Sequence, residues 1–243
     1  MPNVDHARQE LRLKVVYYGP GLGGKTSNLE YIHRRTKPEM RGKLVTLNDA
    51  AERTLFFDLL PMELGRYRDY VVRVHLCTVP GQIAADHVRR LVLRNVDGVV
   101  MVVDSQEQRL HDNLESIRNL EMNVRAQGDN PAKLPTVVQY NKRDLPHVMA
   151  VAALRRALAI PDSIPQIEAV ASRGAGVLET FKAILAECLQ LVGDPSTAPA
   201  GRSPSIVPGK RVSMFPAAEP SALSAARVPK SLAQALESEP EES

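Results

Sequence analysis

At 243 residues, 44% of them hydrophobic and 24% charged, the chain can build one ordinary core with something added, or two small ones. Its 31 basic residues against 28 acidic ones leave a net charge of +3, too even for a nucleic-acid coat or a polybasic membrane arm. Two cysteines, Cys77 and Cys188, lie too far apart in sequence for a disulfide scaffold or a zinc cluster and suit a reducing compartment.

The N-terminus, Met-Pro-Asn-Val-Asp-His, has no apolar targeting region, and residues 1–10 read as an extension. Strand and helix signals then alternate. Leu11 to Tyr18 reads as a strand, and after a Gly-rich turn a helix runs from Lys25 to about Arg35. Thr54 to Leu60 and Val71 to Cys77 read as neighbouring strands joined by a loop through Gly65. The near-continuous Val of Gly98 to Val103 predicts a parallel strand covered on both faces. Leu110, Leu114, Ile117, Leu120 and Val124 repeat at three and four residues, so Glu107 to about Ala126 predicts a long amphipathic helix. Pro135 to Tyr140 is a further strand, Val151 to Leu158 a short helix, and Ile167 to Val170 a last strand. Val177 to Leu191 predicts a closing helix, stopped by Gly193 and Pro195. The alternation implies an α/β domain over residues 11–192, a mainly parallel sheet with helices on both faces.

Residues 193–243 differ. They hold 8 of the 18 prolines, and Pro, Ser and Ala make up 26 of these 51 positions. Such a segment buries too little apolar surface to offset its ordering entropy, so a disordered tail is expected. Its bland reading is an inert extension. The sharper one is a docking segment with Ile206-Val207-Pro208 and Val212-Ser213-Met214-Phe215-Pro216 as apolar anchors.

In such sheets ligands bind at the carboxyl ends of the strands. Gly19-Pro20-Gly21-Leu22-Gly23-Gly24-Lys25-Thr26 matches G-x-x-x-x-G-K-[ST] between a predicted strand and helix. Its glycines let successive N–H groups turn inward onto phosphate oxygens, and the helix start adds a positive end. Lys25 is expected to reach the β- and γ-phosphates and the Thr26 hydroxyl to ligate Mg²⁺, with Ser27 beside it. The bland reading is a Gly-rich turn with an exposed lysine; the strand-helix context argues against it.

Asn141-Lys142-Arg143-Asp144 follows the strand ending at Tyr140 and matches the Asn-Lys-x-Asp element of GTP-binding proteins. A carboxylate accepts two hydrogen bonds at once. Guanine offers two donors on one edge and adenine lacks both, so Asp144 would select guanine, Asn141 brace the site, and the Lys142 stem stack on the base. After the last strand, only the backbone N–H of Ala171 fits a further base contact.

Thr78-Val79-Pro80-Gly81-Gln82 stands where small GTPases carry Asp-x-x-Gly-Gln. Gly81 would let an N–H approach the γ-phosphate, and Gln82 would orient the attacking water. Thr78 replaces the acidic residue, which alters the surroundings of the metal. Arg89-Arg90, in the helix expected after Gln82, read as a solvated face, and His75 as the one histidine turned to the core.

With Val16-Tyr17-Tyr18 before the phosphate loop, Arg53-Thr54-Leu55-Phe56-Phe57-Asp58, and Gln139-Tyr140 before Asn141, the chain resembles the bacterial gliding-motility and cell-polarity GTPases called MglA. The resemblance covers about residues 11–192 and not the tail. It implies a P-loop NTPase of the small GTPase kind, a switch binding GTP or GDP with Mg²⁺ and hydrolysing GTP slowly without an activating partner. It makes Thr78 normal for the family. It gives Thr54 the role of the switch threonine over Mg²⁺ and γ-phosphate, with Thr46 as its rival, and makes Arg53 an arginine finger in cis. It implies a roadblock-type, MglB-like activating dimer and effectors of polarity or motility, in the cytoplasm and at a cell pole through partners. The loops at about 37–54 and 79–95 would switch. The alternative is a guanine-nucleotide-sensing scaffold with negligible hydrolysis. A small-molecule kinase would need an Arg-rich lid and no Asn-Lys-x-Asp; neither holds.

Overall fold

A computed structural model describes residues 3–47, 57–80 and 86–193. The strands are β1 (Asn3–Asp5), β2 (Glu10–Tyr18), β3 (Val45–Leu47), β4 (Phe57–Tyr67), β5 (Tyr70–Thr78), β6 (Gly98–Asp104), β7 (Thr136–Asn141) and β8 (Gln166–Glu168). The helices are α1 (Lys25–Arg35), α2 (Asp86–Leu93), α3 (Leu110–Ala126), α4 (Val151–Ala157) and α5 (Val177–Val192). All eight strands form one sheet in the order β3-β4-β5-β2-β6-β7-β8, with β1 beside β2. The β2–β5, β2–β6, β6–β7 and β7–β8 pairings are parallel, whereas β1–β2, β3–β4 and β4–β5 are antiparallel. The sheet is thus mixed and mostly parallel, as the strand-helix alternation requires.

β2 lies at the centre. Its residues alternate between two cores, as side chains on a pleated strand must. Leu11, Leu13, Val15 and Tyr17 pack with Leu29 and Ile32 of α1 and Phe181, Ile184 and Leu185 of α5. Val16 and Tyr18 pack with Val88 and Val92 of α2, Ile117 and Leu120 of α3, and Leu154 of α4. Every residue of β6 is buried, the signature of a strand covered on both faces. β2 ends at Tyr18, opposite Met101 in the middle of β6, which sets the phosphate loop at the carboxyl edge of the sheet.

Three expectations are corrected. The loop through Gly65 does not exist: β4 runs on to Tyr67, and the chain reverses at Arg68 and Asp69, with Tyr67 paired to Tyr70. Gly65, at φ 91°, sits where the register shifts between Glu63 and Arg66, so it permits a bulge inside a strand. His75 is exposed, because alternation along β5 turns its neighbours Val74 and Leu76 inward. Arg89 is only 5% exposed and so is not on a solvated face, while Arg90 beside it is exposed. Among the described residues no helix is long and apolar enough to cross a membrane.

Gly98 opens β6 where α5 presses closest. A methyl group there would lie 2.5 Å from Cys188 Sγ and 3.0 Å from Ile184 Cδ1, both fully buried. Gly98→Ala is expected to cost about 1–3 kcal/mol, the usual penalty of overpacking. The loss should show in urea unfolding as a lower midpoint at unchanged slope.

Candidate nucleotide site

The phosphate loop is residues 19–26, between β2 and α1. α1 starts at Gly24, which has φ 100°, and no side chain caps that end. The first N–H groups of the helix are therefore left for a ligand. Gly24 must be glycine for a second reason: a Cβ would collide with the Asn141 side-chain nitrogen. Leu22, at φ 60° and 89% exposed, forms the outer tip. The Lys25 ammonium curls back over the loop and donates to the carbonyls of Gly19 (3.0 Å) and Pro20 (2.7 Å). It is 6% exposed. Burial pushes its pKa down to about 7; the Arg89 charge adds to the fall, Asp58 opposes it, and Arg109 adds least. A buried lysine among carbonyl dipoles and two arginines is short of negative charge, which a phosphate would supply.

The base-reading segment meets this loop directly. Asn141 is 2% exposed; its amide nitrogen donates to the Gly23 carbonyl (2.8 Å), and its amide oxygen accepts from the Ala171 N–H (2.9 Å). One side chain thus joins the phosphate loop to the Ala171 backbone, one of the expected base contacts. Lys142, at φ 65°, ion-pairs with the fully buried Asp104 (2.7 Å). Asp104 also lies 3.8 Å from Arg109, whose Nη2 donates to the Gly21 carbonyl (2.7 Å). Asp144 stands at the same edge, 3.7 Å from Arg173. Thr26 is exposed and Ser27 half-buried at the start of α1.

At the other end is a residue the motif reading missed. Asp58 of β4 is 6% exposed and gathers three hydroxyls. Thr26 donates to Oδ2 at 2.7 Å, Thr78 to Oδ2 at 3.0 Å and Thr46 to Oδ1 at 2.9 Å. The Asp58 N–H in turn donates to Thr78 Oγ1 (2.9 Å). The carboxylate absent from position 78 is therefore supplied by the neighbouring strand, and Thr78 holds it in place. A lone acid inside Phe56-Phe57-Asp58-Leu59-Leu60 was the available signal. This hydroxyl and carboxylate set is all oxygen and fits a hard cation such as Mg²⁺, with Thr26 as ligand and Asp58 behind it.

α2 closes the phosphate side. Arg89 donates from Nε to the Pro80 carbonyl (3.0 Å) and from Nη1 to Asn119 of α3 (3.0 Å), with its charge 5.9 Å over the Tyr18 ring. Asp86 accepts from Asn119 (2.9 Å) and Asn123 (3.0 Å). Although burial opposes it, the bonds from Asn123, Asn119 and Arg90 hold the Asp86 carboxyl down at about 2. Arg53, Thr54, Gly81 and Gln82 lie outside the described residues, as does the tail from residue 194.

A profile of the ADP-ribosylation factor family matches residues 66–188. Mutual gliding-motility protein MglA of Myxococcus xanthus (strain DK1622) is 49% identical over 184 residues, 76% of this chain and 94% of that protein. The chain belongs to the ADP-ribosylation factor family of small GTPases and is MglA-like. In fold it is similar to the Arl6 BBS3 small GTPase of Trypanosoma brucei, solved with bound GppNp, at a TM-score of 0.53 and 20% identity over 74% of this chain and 98% of that one. Small GTPases of this kind bind GTP or GDP with Mg²⁺, and the oxygen-rich end of the site in this MglA-like chain suits that ion.

Two measurements probe the site. At pH 8 the empty protein holds Lys25 largely neutral, and an incoming diphosphate recharges it. GDP binding should then take up close to one proton, read by calorimetry in buffers of different ionisation heat, and Lys25→Arg, always charged, should take up none. Asp58→Asn keeps the volume and removes the charge. It should weaken Mg²⁺ binding about 10–100-fold, as loss of a ligand-orienting carboxylate does, read as the Mg²⁺ concentration that halves the rate of GDP release.

Proposed function

We propose that the protein is a GTP-binding switch that hydrolyses GTP to GDP and controls cell polarity or motility through nucleotide-dependent partner binding. The observation that carries the reading is the Asn141 carboxamide, bonded at once to Gly23 of the phosphate loop and to the N–H of Ala171. A phosphate cradle and a base reader locked together at that spacing suit a nucleotide lying between them. Asp144 then selects guanine through its two-donor edge, and Lys142 flanks the base.

Hydrolysis is transfer of the γ-phosphoryl group to water. Gln82 orients the water, and Lys25 and Arg53 offset charge on the transferred group. Gly21, Leu22, Gly23 and Gly24 present backbone N–H groups to the phosphates. Thr26, and in the GTP state Thr54, would hold Mg²⁺, which would supply positive charge to offset that of the phosphates. Thr46, the rival to Thr54, already donates to Asp58. Asp58 weighs against the scaffold alternative, which the threonine at position 78 supports only weakly. Loss of the γ-phosphate frees Thr54 and the Gly81 N–H, and the two switch loops relax.

The likeness to a gliding-motility protein supports a role in motility or polarity, with a roadblock-type, MglB-like dimer as activating partner. On this reading the protein works in the cytoplasm and gathers at a cell pole through its partners, residues 1–10 are an extension, and 193–243 is a tail outside the GTPase domain of 11–192. Single-turnover GTP hydrolysis tests it. A roadblock dimer should raise the rate, and Arg53→Ala should lower the stimulated rate by about 10³-fold or more. No stimulation, together with a wild-type rate in Gln82→Ala, would leave the scaffold reading. Adenine nucleotide on natively purified protein would refute the assignment of Asp144.

A further inference from the structure

β7 carries a polar side chain, Gln139, between its buried hydrophobics. Val137, Val138 and Tyr140 are fully buried hydrophobics, yet Gln139 between them is 0% exposed. A buried carboxamide costs several hydrogen bonds unless each is replaced. Here the replacement is complete. Gln139 Oε1 accepts from Asn28 Nδ2 (2.8 Å), and Gln139 Nε2 donates to Asn28 Oδ1 (2.9 Å) and to Thr180 Oγ1 (3.0 Å). Asn28 Nδ2 also donates to the Gly24 carbonyl (2.9 Å), and Thr180 Oγ1 to the Gly176 carbonyl (2.6 Å). Asn28 and Thr180 are likewise 0% exposed.

The members of this closed network lie on three elements, and each element carries one part of the nucleotide site. Asn28 is one helical turn past Gly24, where the phosphate loop becomes α1. Gln139 is two residues before Asn141 on β7. Thr180 is in the first turns of α5, whose start at Gly176 ends the loop that holds Ala171. The network therefore repeats, one layer deeper, the junction that Asn141 makes at the surface of the site. Amide pairing is directional, so it fixes the spacing of the three elements where apolar packing would let them slide.

We propose that Gln139, Asn28 and Thr180 are positioning residues for nucleotide retention: they hold the phosphate loop and the base-reading loops at the separation one guanine nucleotide requires. This rests on the guanine-nucleotide reading above. None of the three touches the ligand. Loosening them opens the site at both ends, so GDP and a non-hydrolysable GTP analogue are released faster by the same factor. Hydrolysis of GTP that is already bound is left unchanged.

The test is the release rate of fluorescent GDP and of a fluorescent GTP analogue from the full chain, beside the thermal midpoint. Gln139→Met takes away the partner of the buried Asn28 Oδ1 and should lower both stability and retention. The double variant Asn28→Leu/Gln139→Met removes both amides for apolar groups of similar size, an exchange that is close to neutral for stability. Its midpoint should stay near that of the wild type, while both nucleotides leave about tenfold faster, the size of one lost buried hydrogen bond. Thr180→Val, which deletes the bonds to Gln139 and to the Gly176 carbonyl at nearly constant volume, should give a smaller rise in the same direction. Wild-type release from the folded variants, or release that merely follows the midpoint, would overturn the proposal. A wild-type protein that binds no guanine nucleotide would instead overturn the functional reading.

Discussion

A single carboxamide decides how this molecule is put together. Asn141 is the last residue of β7, and its two polar atoms are spent on Gly23 and on Ala171. Both partners are backbone groups of loops that belong to different elements. The bond to Gly23 requires the loop to come close, which is why Gly24 has no room for a Cβ. The bond to Ala171 requires β8 to end beside β7, and the parallel register from Val138–Gln166 to Tyr140–Glu168 delivers it. Loop, strand and closing helix are thus tuned to one side chain at the carboxyl edge of the sheet.

The metal end shows how an antiparallel strand substitutes for a loop residue. Leu59 pairs with Cys77, so the next positions outward, Asp58 and Thr78, face each other across β4 and β5. Thr78 receives the Asp58 N–H and gives its hydroxyl to the Asp58 carboxylate. An aspartate at 78 would place a second carboxylate about 3 Å from the first, and like charges so close resist joint ionisation. Threonine at 78 and aspartate at 58 are therefore one feature, a carboxylate moved by one strand with a hydroxyl to steady it. Thr78 therefore does not leave this end of the site without a carboxylate.

What the sequence made legible follows from the range of the interactions. The phosphate loop and Asn-Lys-x-Asp are local: the residues that do the chemistry are neighbours in the chain, and strand-helix periodicity supplies their context. β6 declared itself by its Val run and α3 by its spacing. Three features depended on partners far away in sequence. Asp58 matters because of Thr26 and Thr78, 32 and 20 residues off. Arg89 looked solvated beside Arg90, yet helical rotation puts one against Pro80 and Asn119 and the other in solvent. Gly65 looked like a turn because glycine permits both a turn and a bulge, and only the pairing partner distinguishes them.

The two cores bury different kinds of polar group, and the difference falls at the two ends of the phosphate loop. On the α1–α5 face the exit of the loop is tied through Asn28 to Gln139 and Thr180, amides and a hydroxyl with no charge among them. On the α2–α3 face the residue before the loop, Tyr18, hydrogen-bonds Asn119, which also takes Arg89 and gives to Asp86 of α2. The first network has every member inside rigid elements. The second joins β2 to α2, which lies within the expected switch loop at about 79–95. If α2 moves, Arg89 must leave the Pro80 carbonyl or carry Asn119 with it, and either change reaches Tyr18 and hence Gly19. One end of the cradle is therefore tied by neutral side chains of α1, β7 and α5, and the other by a network that includes the charged Arg89 and Asp86 of α2.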